Sequence, residues 1–211
     1  MADHCCASKG KELERLAQQA DQRRVLQVVL FINAVMFVAE FSAGILAGST
    51  ALMADAVDML GDALVYGLSL YALSRSDQWK GIAALAKGLF ILIFGVGILI
   101  EITLKIRTGV PPSSTLMLTF GGIALVANLI CLRLLWRFRA HDVNMASTFE
   151  CSRNDVLSNV GVLAAAGLVA LLDSPWPDIV IGATIAALFL RSAFGVIRSS
   201  LSAMRTPVPA E

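Results

Sequence analysis

Histidine is nearly missing from this 211-residue sequence: His4 and His141 are the only two, and both lie outside the apolar segments. A His-rich catalytic metal motif is thereby excluded from the hydrophobic part of the chain. Charge is scarce too. Asp, Glu, Lys and Arg make up 16% of the residues, against about 25% in soluble domains. Hydrophobic residues reach 57%, and mean hydropathy is +0.74. A soluble domain of this size has too much surface to hide that much apolar side chain, so the chain reads as an integral membrane protein. A net charge of +1 gives no argument for nucleic acid. Cys5 and Cys6 are adjacent, and Cys131 and Cys151 sit in apolar segments; that is no disulfide framework. Residues 1–24 lack the apolar core of a signal peptide, so no cleavage is expected. With no nucleophile–base pair and no cofactor loop, neither an enzyme nor a permanently bound cofactor is expected.

What is present is a series of long apolar runs. A membrane helix needs about 20 mainly apolar residues, and six segments qualify: Val25–Ala47, Met53–Leu73, Ile82–Ile106, Thr115–Trp136, Phe149–Leu172 and Asp178–Ala203. The expected fold is an all-α integral membrane bundle of six transmembrane helices over 25–203. The breaks fall at AGST, SRSDQWKG, RTGVPPSS, RFRAHDVN and DSPWPD. A tail of residues 1–24 precedes the bundle, with KELERLAQQADQRR as a short amphipathic helix, and 204–211 form a short tail without room for a soluble domain. Lys and Arg mark the cytoplasmic side. Lys9, Lys11, Arg15, Arg23, Arg24, Arg75, Lys80, Arg133, Arg137, Arg139, Arg198 and Arg205 fall on one side, and only Lys105 and Arg107 on the other. Both termini are therefore expected in the cytoplasm, with the chain multi-pass in a bacterial-type inner or plasma membrane.

The second span carries the anomaly. ADAVDMLGDAL places Asp55, Asp58 and Asp62 within an arc of roughly 60° on a helix, with no Lys or Arg between Arg24 and Arg75. Each charge at the bilayer centre costs about 2.5–3.5 kcal/mol on the insertion scale. Protonation, a water-filled cavity or a cation must compensate. A second acidic group lies in span five, ECSRNDVLSN, where Cys151 and Asp155 are i, i+4 and share a face. Asp58 and Asp62 have the same spacing. Two such pairs on facing helices supply four ligands to one ion, as in metal sites of helical bundles. Three carboxylates and a thiolate suit a divalent transition ion better than magnesium. Fully deprotonated, the set carries −4, so a divalent ion leaves −2; a retained proton or nearby cations must make up the rest. Metal binding should displace protons.

Other polar groups are accessory candidates. Asp55 is either a further ligand or a helix–helix hydrogen-bonding group. Asn33 and Glu40, i, i+7 in span one, read as a polar lining or packing contact. Glu150, about 100° round the helix from Cys151, is a candidate entrance acid, and Arg153, about 200° away, faces elsewhere. Lys87 and Arg191 snorkel or pair with acids. His4, Cys5 and Cys6 either capture metal at the entrance or are chance thiols of a disordered tail. A helix ruler raises a mismatch: Asp155 lies about 28 Å before the DSPWPD turn, whereas Asp62 lies about 20 Å from its outer turn. Tilt, or an extension of span five into the outer interface, removes it.

These residues resemble the cation diffusion facilitators over about residues 25–205. LMADAVDMLGDAL is similar to that family's second-helix motif, with Asp58 and Asp62 at its two ligand positions. ECSRNDVLSNVGVLAAAGL is similar to its fifth-helix motif, with Cys151 in place of the usual His, and Asp155. PDIVIGATIAALFLRSA resembles its sixth helix. The resemblance implies export of a divalent cation, usually zinc, from the cytoplasm in exchange for protons, by alternating access and commonly as a homodimer. Cys151 points towards softer ions such as cadmium, with cobalt another candidate. The family's cytoplasmic metal-binding domain has no counterpart among these residues, which leaves the oligomeric state open. Two other readings stand beside it: a proton-coupled exporter of small organic cations, which the weak aromatic content, with Tyr66 and Tyr71 the only tyrosines, argues against, and a non-transporting membrane metal sensor or assembly subunit.

Overall fold

The computed structural model describes residues 2–72, 77–139 and 143–205. Among these residues there are six helices and no strand: α1 (Ala2–Ala47), α2 (Thr50–Ala72), α3 (Asp77–Thr108), α4 (Ser114–Trp136), α5 (Val143–Leu172) and α6 (Trp176–Arg205). Each of the six expected segments falls on a helix. The amphipathic stretch of the N-terminal tail is no separate element but runs straight into α1. Two expected breaks are shorter than the sequence suggested. Asp77 already begins α3, and Trp176 begins α6, so Pro177 lies in the first turn of α6. Proline is at home there, because the N–H it lacks has no intrahelical partner anyway.

Five helices hold stretches long and apolar enough to cross a membrane: Ala20–Ala47, Gly88–Thr108, Ser114–Trp136, Thr148–Leu172 and Trp176–Gly195. Every 18-residue stretch of α2 contains Asp55, Asp58 and Asp62, which is why its polarity stands out. The bundle shields that helix. α2 packs against α1, α3, α5 and α6, and residues 50–57 are buried without interruption. The surface is the reverse of a soluble protein's. Phe31, Val38 and Leu46 of α1, Ile93 and Ile100 of α3, and Ile123 and Val126 of α4 are exposed, while Asn33, Glu40, Asp55, Asp62, Asn128, Asp155 and Asn159 are buried. Apolar outside and polar inside is the distribution expected of helices in lipid around a functional interior.

The three turns at one end of the bundle are tied together. Gly48, at φ +64°, lets the chain leave α1, and Ser49 N donates to Gly44 O at 2.9 Å. Asp178, in the first turn of α6, then caps α2. Its carboxylate accepts from Ser49 Oγ (2.5 Å), Thr50 N (2.9 Å), Thr50 Oγ1 (2.7 Å) and Ala51 N (3.1 Å). Lys105, in the last turn of α3, completes the cluster with a 2.7 Å ion pair to Asp178 and a bond to Gly48 O. Ser113 N donates to Ala47 O at 2.9 Å. The helix N-terminus carries partial positive charge and unsatisfied N–H groups, so a carboxylate there is doubly favoured. Close backbone packing supports the knot: a Cβ on Gly182 would meet Thr50 C at 2.8 Å and Ala51 N at 2.9 Å. Small residues allow this approach in membrane bundles.

Candidate cation site between the second and fifth helices

Along α2 the acidic residues descend from the Gly48 end. Asp55 is buried, Asp58 half-buried and Asp62 buried. Asp55 and Asp62 are separated by about 10.5 Å of helix rise. On α5 the buried line runs through Thr148, Ser152, Asp155 and Asn159, a spacing that keeps one face turned inwards. Cys151 is half-buried at the edge of that face, one turn before Asp155.

The two acidic faces meet. Asp155 stands within hydrogen-bonding reach of Asp62, and Asp58 and Asp55 are close enough to act on its charge. Asp62 and Asp155 thus oppose each other across the two helices, with Asp58 one turn from Asp62 on α2. One helical turn further towards Gly48, Asn159 Nδ2 donates to Asp55 Oδ2 at 2.8 Å and to Asp155 O, also at 2.8 Å. From the Asp55–Asn159 contact, α2 has 5 residues left towards its Thr50 end and α5 has 13 left to Leu172, so the unequal distances of the ruler reflect a longer outer arm on α5. Among the described residues, no three His, Cys, Asp or Glu side chains form a ready-made ligand cage. The arrangement is one of opposed acidic faces, which closes on an ion only with side-chain adjustment.

The remaining candidates separate. Glu40 is wholly buried within hydrogen-bonding reach of the Asp55 carboxyl, and no amide, hydroxyl or cationic group donates to its oxygens. Asn33 is buried, donating to Val29 O at 2.9 Å and lying 4.0 Å from Cys131 Sγ. Glu150 is exposed and held by Arg153 at 2.6 Å, on the outside of the helix rather than against Asp155. Arg191 is exposed. The side chains of His4, Cys5, Cys6 and Lys87, and the whole of His141, lie outside the described residues.

Three participants were not singled out from the sequence. Asn159 extends the Cys151–Asp155 spacing by another four residues, so the periodicity contained it. Cys131 of α4 is buried near enough to Asp155 and Asp62 to feel their charges, but a cysteine in an apolar run carries no local sign of that. Ser152 is buried with its hydroxyl unpartnered.

A bundle of apolar helices around opposed carboxylates defines a multi-pass membrane protein with a charged interior. The chain belongs to the family described as the cation efflux transmembrane domain, whose model matches residues 26–204. It is 28% identical over 200 residues to the metal cation efflux system protein CzcD of Cupriavidus metallidurans, covering 88% of this chain and 63% of that protein. It is 25% identical over 207 residues to the zinc transporter ZitB of Escherichia coli, covering 92% and 66%. It is 24% identical over 204 residues to a cadmium, cobalt and zinc/H(+)-K(+) antiporter of Bacillus subtilis, covering 89% and 65%. The chain thus spans just under two thirds of the length of these relatives.

Proposed function

We propose that the chain exports divalent transition-metal cations across the membrane in exchange for protons, by alternating access, with zinc the first candidate and cadmium and cobalt next. The observation that carries this reading is the meeting of Asp155 with Asp62 and Asp58 across the α2–α5 interface. Buried carboxylates in mutual contact repel unless a cation or protons neutralise them. A divalent cation and protons therefore compete for the same oxygens, and that competition couples their movements. Asp58, Asp62 and Asp155 are the proposed ligands, with Cys151, one turn from Asp155 on the same side of α5, as the fourth after a modest side-chain movement. The names of the relatives, which include zinc, cadmium and cobalt, support a transition metal as cargo.

The distribution of Lys and Arg supports a 25–203 membrane domain with residues 1–24 and 204–211 on the cytoplasmic side. Alternating access needs one part of the bundle to hold while another moves. The Asp178–Lys105 knot at the Gly48 end supplies the fixed part. The reading is tested by expressing the chain in cells stripped of their own metal exporters. Wild type should raise tolerance to zinc, cadmium or cobalt, and Asp62→Asn, at equal membrane abundance, should not. Tolerance to organic cations with no change for metals would overturn the metal assignment.

A further inference from the structure

Glu40 stands out among the buried groups that the transport site does not use. It is a carboxylate on α1, wholly buried, to which no amide, hydroxyl or cationic group donates, and only the Asp55 carboxyl is given within hydrogen-bonding reach. Beside it is Asp55 of α2, also buried, with Oδ2 held by Asn159. Asn159 of α5 gives the independent sign. Both hydrogens of its amide are committed, one to Asp55 Oδ2 and one to the backbone oxygen of Asp155. A backbone carbonyl only accepts, so the nitrogen must face it and the amide orientation is fixed. Oδ1 is then left buried with no donor in reach. Buried polar atoms are almost always satisfied, and each exception needs an explanation.

We propose that Glu40, Asp55 and Asn159 form a second cation subsite, in series with the Asp58–Asp62–Asp155 site and nearer the Gly48 end. This deepens the transport reading and rests on it for the cargo. The subsite's donors are all oxygens: the Glu40 carboxylate, Asp55 Oδ1 and Asn159 Oδ1. Its formal charge is −2, so one divalent cation neutralises it, whereas the four-ligand site keeps an excess of −2. Oxygen-only donors suit harder ions such as manganese; a thiol-containing set suits softer ones. Asp55 is about 4.5 Å of helix rise from Asp58 and about 10.5 Å from Asp62. An ion leaving the thiol-flanked site towards the Gly48 end meets this subsite next. The subsite is therefore a second stop on the way to the Gly48 end, and its donor set filters the cargo a second time.

The test is metal stoichiometry by equilibrium dialysis on the full chain in lipid nanodiscs, with zinc and separately with manganese. Wild type should bind two zinc ions per chain, and Glu40→Gln, close in shape, one. Asp62→Asn/Asp155→Asn should retain one ion and take manganese as readily as zinc. Asp55→Asn serves if Glu40→Gln does not give a monodisperse, helical protein. Glu40→Gln and Asp55→Asn binding as many ions as wild type would overturn the subsite, as would the Asp62→Asn/Asp155→Asn protein binding none. If Glu40→Gln loses an ion while Asp62→Asn/Asp155→Asn keeps both, the subsite stands and the four-ligand reading fails.

Discussion

Replacing Asp178 by Asn should be among the most damaging single changes outside the cation site. The Asp178 carboxylate is fully buried and carries the Lys105 ion pair together with four further hydrogen bonds. The amide keeps the shape but loses the charge, and presents an NH₂ group where only donors converge. Lys105 is itself buried, so its ammonium is left without a counter-ion. Breaking a buried pair in this way costs about 3–5 kcal/mol. A weakened N-cap on α2 contributes about 1 kcal/mol of that order. Removing the stranded charge should undo much of the loss, because much of the penalty is the unpaired ammonium rather than the missing attraction. Lys105→Met/Asp178→Asn should therefore recover about 2 kcal/mol relative to Asp178→Asn alone. The assay is reversible unfolding in mixed micelles by titration with sodium dodecyl sulfate, followed by circular dichroism, on wild type, both single variants and the double. An Asp178→Asn loss below about 1 kcal/mol, or a double variant as unstable as the sum of the singles, would refute the account of the knot.

Further outcomes follow from the same geometry. Gly182→Ala places a Cβ against the α2 backbone and should cost about 1–3 kcal/mol in the same unfolding assay, whereas Gly97→Ala, with nothing within 4 Å, should be neutral or slightly stabilising. Arg153→Gln removes only an exposed i, i+3 pair; the loss should stay below about 1 kcal/mol and vanish in high salt. Zinc affinity of the purified protein should rise with pH, and zinc addition to a weakly buffered sample should acidify it, because binding expels protons from the ligands. A pH-electrode titration checks the sign, and Asp62→Asn should release fewer protons per ion.

Much of this fold was readable because membrane insertion leaves a strong, local signature. Each apolar run became a helix, and the boundaries at Ala47, Trp136 and Leu172 coincide with the observed ends. The meeting of Asp155 with Asp62 was readable as well, because i, i+4 spacing fixes a face and two acidic faces in a lipid-enclosed bundle have few places to go except towards each other. The Asp178 knot was not. Its partners come from the α1–α2 turn, the end of α3 and the start of α6, and nothing local in PWPD indicates that an aspartate at a turn will cap a helix more than a hundred residues away. Glu40 has the right face, but the sequence distinguishes it from no other polar lining or packing group, since its surroundings depend on what α2 and α5 place around it. Cys131 illustrates the same limit: an apolar run conceals which of its members faces the charged interior.

If the opposed aspartates exchange a metal ion for protons, the two fluxes must be coupled in a reconstituted system. Purified protein is reconstituted into liposomes with a pH gradient, a fluorescent metal indicator and a pH dye inside. Wild type and Asp62→Asn are compared for zinc, cadmium, cobalt and manganese. Metal uptake should accelerate with the proton gradient, be matched by proton efflux, and be absent in Asp62→Asn. Metal uptake indifferent to the gradient, or equal in Asp62→Asn, would contradict the exchange.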